Sequence, residues 1–100
     1  MILTGIGGGG QAPVVGRVNH NTIVDGDGIR VADMTEPDML SEMLKAAAVV
    51  TNRGGAMSHA AVVCTARGIT FVVGTKTATL LSQGAYIEVD PSAGTVTLLD

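Results

Sequence analysis

The chain has 100 residues, of which 46% are hydrophobic and 15% charged, and a formal net charge of -3. That describes one small globular domain with a single core, too short to carry separate substrate-binding domains, and it excludes a disordered chain. Only 6 Lys and Arg residues, with no basic run, exclude the electrostatic footprint of a nucleic-acid or anionic-membrane partner, and no apolar stretch reaches the ~18 residues of a membrane span.

The N-terminus lacks a basic leader region, so no secretory signal is expected. Cys64 is alone, cannot form an internal disulfide and reads as a small buried hydrophobe, which together point to a cytoplasmic protein. Aromatic residues are limited to Phe71 and Tyr86, so the core must be built from Val, Ile, Leu, Ala and Met.

In chain order, residues 2–6 predict a first strand and residues 7–11, four glycines and a glutamine, a flexible or sharply turning loop. Gly5 to Gly10 satisfies a literal G-x-G-x-x-G. A dinucleotide site needs a helix at once, however, and Pro13, Val14, Val15 and Gly16 favour extended chain; no Gly-Lys-Ser/Thr follows to make a Walker loop. Residues 14–19 and 23–24 predict short strands around a polar stretch in which His20 reads as a solvated loop residue. Asp25-Gly26-Asp27-Gly28 predicts a turn and lacks the residue order of a calcium loop.

Residues 29–32 predict another strand. Thr35-Glu36-Pro37-Asp38 has capping-box spacing and predicts the start of a helix whose apolar face is Met39, Leu40, Met43, Leu44 and Ala47. Residues 48–51 read as a buried strand, and Gly54-Gly55 allow the turn into a second helix. That helix begins near Ser58, a good N-cap, and ends at Gly68. Residues 69–74 predict a strand covered on both faces, residues 75–82 a short helix using Leu80 and Leu81, residues 85–90 a half-buried strand, and residues 95–99 a last strand with Val96 and Leu98 inward.

His59 falls on the first turn of the second predicted helix. Unpaired backbone N–H groups and the positive end of the helix dipole favour an anion there, which suits an imidazole that attacks phosphorus as the neutral base and then carries a phosphoryl dianion. Arg53 and Arg67 are candidates to pair with phosphate oxygens. A metal-dependent hydrolase is poorly supported, because His59 and Cys64 are roughly 140° apart around a helix and no third ligand is in sight.

Thr51-x-x-Gly54-Gly55-x-x-Ser58-His59-Ala60-Ala61, followed by Gly68-Ile69 and Val72-Val73-Gly74, resembles the phosphohistidine segment of the phosphoenolpyruvate-utilising enzymes. The resemblance extends upstream to residues 31–38 and downstream to Val89-Asp90 and Gly94-x-Val96, and the wording of Thr51-Asn52-Arg53-Gly54-Gly55 is most similar to the synthase branch. It implies an α/β fold, a compact swivelling β/β/α domain with a central sheet and two to three short helices, spanning residues 1–100. It implies His59 as the phosphohistidine, with Thr51, Arg53, Gly54, Gly55 and Ser58 as its phosphate-binding and supporting positions.

The same resemblance implies a phosphoryl group shuttled between an ATP-grasp nucleotide site and a barrel-type phosphoenolpyruvate or pyruvate site. ATP and Mg²⁺ would be bound on those partner domains, and no cofactor or metal on this one. Met57 stands where family members commonly have Thr, Thr65 where they have Arg, and Thr70 where they have Pro. Arg67, about 200° round the helix from Thr65, does not replace the missing arginine. The alternative is a non-catalytic interaction module of the same fold, which Met57 and Thr65 favour and an intact His59 after Gly54-Gly55 opposes.

Overall fold

A computed structural model describes residues 1–21 and 28–99; the strand expected at residues 23–24 and most of the turn at residues 25–28 lie outside the described residues. The strands are β1 (Ile2–Thr4), β2 (Ile6–Gly8), β3 (Val14–Asn19), β4 (Gly28–Ala32), β5 (Ala48–Thr51), β6 (Thr70–Val73), β7 (Tyr86–Asp90) and β8 (Thr95–Leu98), and the helices are α1 (Leu40–Lys45) and α2 (His59–Arg67). All the strands join one 8-stranded sheet in the order β1-β8-β7-β3-β4-β5-β6-β2. Strands β3 to β6 run parallel, and β1, β2, β7 and β8 pair antiparallel with their neighbours.

The two ends of that order, β1 and β2, are halves of one extended segment separated only by Gly5. The sheet therefore has to curl until its edges meet, and they meet at Gly5. Its N–H donates to Gly94 O at 2.8 Å on the β7–β8 turn, while a Cβ added to it would lie 2.2 Å from Val73 O on β6. The strand predicted over residues 2–6 thus runs on to Gly8 and changes partner midway. The glycines read as a loop are partly strand: Gly8 lies against the Phe71 ring, and Gly9, at φ 77°, passes so close to Ile69 O that a Cβ would stand 1.8 Å from it. Their job is close backbone approach.

Closure creates an interior and an exterior, and strand alternation sorts the side chains between them. Val18, Ile29, Val31, Ala48, Val50, Val72, Ile87, Val89 and Val96 form the interior core, plugged by Ala78 and Leu81. On the outer face of β5 and β6, Val49, Phe71 and Val73 pack with Met43 of α1 and with Ala60, Ala61 and Cys64 of α2. Both strands are consequently buried at every position, as the continuous apolar runs predict.

The departures from expectation are local. Pro37–Met39 forms a 3-10 turn that precedes α1 and shifts its phase, so Met39, Met43 and Ala46 face the core while Leu44 is 46% exposed. The predicted helix at residues 75–82 is only a 3-10 turn, Ala78–Leu80, and it ends with Leu81 inside and Leu80 outside. His20 is not a free loop residue: its Nε2 lies 2.7 Å from Leu81 O and its backbone N–H donates to Gln83 Oε1 at 2.8 Å.

Gly5→Ala forces a methyl into the seam between the sheet edges. It is expected to destabilise the domain by about 2–3 kcal/mol, measured by urea or thermal unfolding.

Candidate functional site

The site lies where β4 and β5 end side by side. Ala32 pairs with Thr51, so the segments that leave the two strands run out over the same end of the sheet. Asn52 N donates to Ala32 O at 3.2 Å and Arg53 N to Asp33 O at 2.9 Å, which zips the segments together beyond the last strand pair. Thr51, fully buried, donates its hydroxyl to Arg53 O at 2.6 Å and accepts at its carbonyl from Thr75 Oγ1 at 2.9 Å. Thr51 therefore braces the turn from beneath and is not in the pocket itself.

The turn then passes Gly54 at φ 117°, where a Cβ would come within 2.9 Å of Ser58 Cβ and Oγ. Left-handed backbone and crowding both demand glycine there. Gly55 differs, since a Cβ on it would meet nothing within 4 Å; its carbonyl accepts from Ser58 N at 3.0 Å. Ser58 caps α2, with Oγ accepting from Ala61 N at 3.4 Å, and Gly68 at φ 70° closes the other end by donating to the Cys64 and Thr65 carbonyls. This is the sequence-predicted helix with both of its predicted caps.

His59, the first residue of α2, is half-buried. Its Nδ1 lies 2.8 Å from the hydroxyl of Thr35, a residue that is itself only 4% exposed. Thr35 was expected to cap the first helix. Glu36 takes that position instead, without a side-chain cap bond, and the Thr35 hydroxyl turns to the ring 24 residues away. In front of the imidazole is a hollow of about 210 Å³ lined by Met34, Thr35, Arg53, Gly54, Ser58, His59 and Ala60. A phosphoryl group with its first waters fits in that volume.

Of the two candidate arginines, one is at the site. Arg53 lines the hollow and pairs through Nε with Asp33 Oδ2 at 2.9 Å. Arg67 ends α2, eight residues past His59 and so about 12 Å along the helix, beyond reach. Met57, in the place of the expected threonine, is 87% exposed beside the turn.

Cys64 is fully buried among apolar neighbours, and desolvation raises its thiol pKa from 9.0 to about 12. It does not share a site with His59, and among the described residues no cluster of His, Cys, Asp and Glu is placed to hold a metal ion.

Sequence reasoning from the residues missed Asp33 and Thr35, which come to the site only through strand pairing. The clue available was that both lie in the upstream stretch, residues 31–38, where the resemblance continues.

The fold is α/β, and its site sets a histidine at the mouth of a capped helix, with Nδ1 held by Thr35 and a hollow lined by Arg53 beside the ring. The chain belongs to the family described as PEP-utilising enzyme, mobile domain, whose pattern matches residues 24–94. Phosphoenolpyruvate synthase of Pyrococcus furiosus is 45% identical over 93 residues, covering 92% of this chain and 11% of that protein. The chain thus spans about a tenth of the length of its curated relatives. Two solved structures share the fold. An Enzyme I solution structure matches 80% of this chain and 33% of its own with a TM-score of 0.64 at 23% identity. The Thermococcus kodakaraensis aconitase X crystal structure matches 100% of this chain and 99% of its own with a TM-score of 0.70 at 13% identity. Among the described residues no helix is long and apolar enough to cross a membrane.

Thiolate formation is what thiol reagents require, so Cys64 is expected to resist them at neutral pH in the folded chain and to react only after denaturation, as followed by mass spectrometry of labelled protein.

Proposed function

We propose that this domain is a phosphohistidine carrier in which His59 Nε2 is the nucleophile. The observation that carries the reading is the 2.8 Å contact between Thr35 Oγ1 and His59 Nδ1. When Nδ1 donates its proton to the Thr35 hydroxyl, the ring is fixed in one tautomer, and the lone pair of Nε2 is directed away from the scaffold. Attack on the donor phosphorus then forms an Nε2–P bond as the donor P–O bond breaks and its oxygen leaves with the electron pair, on a nucleoside phosphate from ATP or as pyruvate enolate from phosphoenolpyruvate. The Nδ1 proton stays on the ring and donates to the Thr35 hydroxyl. No other base has to move.

Around that nucleophile, Arg53 and the first N–H groups of α2 offer positive charge to phosphoryl oxygens. Gly54 and Ser58 fix the entry of the helix, Gly55 leaves the front of the turn clear, and Thr51 braces the turn. A transferring phosphoryl group spreads charge over its peripheral oxygens, and one arginine does not balance it. The remaining stabilisation is assigned to ATP-bound Mg²⁺ and to cations on partner domains: an ATP-grasp nucleotide domain on one side and a barrel-type phosphoenolpyruvate or pyruvate domain on the other. On this reading the domain works within a cytoplasmic phosphotransferase and is incomplete alone. Similarity to phosphoenolpyruvate synthase over 92% of the chain supports that setting.

The test is phosphorylation with labelled ATP or phosphoenolpyruvate in the presence of the partner domains. Acid-labile, base-stable label is expected on His59 and none in His59→Ala; label elsewhere, or label surviving that substitution, would falsify the assignment. Thr35→Val removes the ring's anchor and is expected to slow labelling about 10-fold or more, whereas Thr35→Ser retains most of the rate.

A further inference from the structure

We infer that Asp33 is a positioning residue for phosphoryl transfer, holding Arg53 by its Nε edge so that the forked end of the guanidinium is left for the phosphoryl oxygens in front of His59. The inference rests on the carrier reading above and adds a residue to it. Arg53 lines the His59 hollow, and its Nε lies 2.9 Å from Asp33 Oδ2. A guanidinium bound through Nε keeps both Nη groups, the pair that matches phosphate geometry bidentately.

Asp33 is itself held from two other directions. Its Oδ1 accepts from Asn52 Nδ2 at 3.2 Å, and the Asn52 amide is pinned by Thr79, donating to Thr79 Oγ1 at 2.7 Å and accepting from Thr79 N at 3.1 Å. Its carbonyl accepts from Arg53 N at 2.9 Å, so the carboxylate is fixed relative to the backbone of the arginine it aims. Three chain segments thus converge on an ion pair whose side chains are 71% and 49% exposed. A pair that open adds little to stability, so holding the fold together does not account for the arrangement. Thr35, two residues beyond Asp33, anchors the imidazole. One short segment therefore sets both the nucleophile and the cation beside it.

This reading predicts a sign. As a bystander, the Asp33 carboxylate repels an incoming anion, and neutralising it speeds phosphorylation. As the residue that aims Arg53, its neutralisation slows phosphorylation.

The experiment uses the 100-residue chain and phosphoramidate as donor, so that no partner domain is required. The donor P–N bond breaks, ammonia leaves, and an Nε2–P bond forms on His59. Expected are several-fold slower loading of His59 in Asp33→Asn, a similar loss in Arg53→Gln, and no further loss in the double variant. The Arg53 Nε–H resonance is expected to be resolved in the parent, to move on phosphorylation, and to vanish in Asp33→Asn.

Loading of Asp33→Asn at or above the parent rate overturns the inference, as does an equal loss when the substitution is made in the Arg53→Gln background. Should Asp33→Asn fail to fold, Arg53→Lys replaces it: lysine keeps the charge but lacks the Nε that Asp33 holds, so slowed loading supports positioning and parent-like loading refutes it. A parent chain that takes no acid-labile label on His59 refutes the carrier reading and this inference with it, whereas a labelled parent with an unslowed Asp33→Asn refutes this inference alone.

Discussion

The site depends on the register that sets Ala32 beside Thr51. Parallel neighbours end at the same side of a sheet, so whatever follows them is delivered to one place, and a one-residue slip would exchange the side chains that face the interior with those that face the other side. Here the register is enforced twice, by core side chains inside the curled sheet and by the helix layer outside it. The loop bonds from Asn52 to Ala32 and from Arg53 to Asp33 extend the pairing past the strands. The 2.8 Å contact between Thr35 Oγ1 and His59 Nδ1 follows from this base, although both residues lie just beyond it.

The helix that presents His59 is held close by small residues. Ala60, Ala61 and Cys64 form its buried stripe against Val49, Phe71 and Val73, and they allow α2 to lie near the sheet where larger side chains would push it away. With one Phe and one Tyr in the chain, the two cores consist of many modest contacts, and glycine does the work of close approach elsewhere. Two of the buried threonines are satisfied locally. Thr51 and Thr75, both buried, spend their hydroxyls on backbone carbonyls of the turn that carries Arg53 and Gly54.

What could be read in the sequence was what is local. The helix from Ser58 to Gly68 is specified by its own caps, and the strands over residues 14–19, 48–51 and 85–90 by alternation or unbroken apolar runs; the structure contains them nearly as read. The resemblance to the phosphoenolpyruvate-utilising family marked the loop and ring around His59 in the same way. Thr35 was misassigned because its spacing to Asp38 satisfies a capping rule as well as a long-range bond does, and only strand pairing decides between them. Asp33 gives no local signal. Gly7 and Gly8 looked like loop because the feature that makes them strand, a tight approach to β6, belongs to residues more than sixty positions away. The phase of α1 was lost to a 3-10 turn opened by Pro37, which changes the angle between successive side chains before the helix begins.

The segment running from Ile2 to Gly8 precedes its two partners, Thr70–Val73 and Thr95–Leu98, by more than sixty residues. Pairing Ile2 with Thr97 closes nearly the longest loop this chain can form, and such loops are the slow step of small-domain folding. During synthesis the parallel strands β3 to β6 can assemble before β8 exists, but β1 must wait unpaired until β8 has emerged. Gly5, Gly7 and Gly8 suit that interval, because glycine weakens the segment's own strand propensity and so its tendency to pair elsewhere.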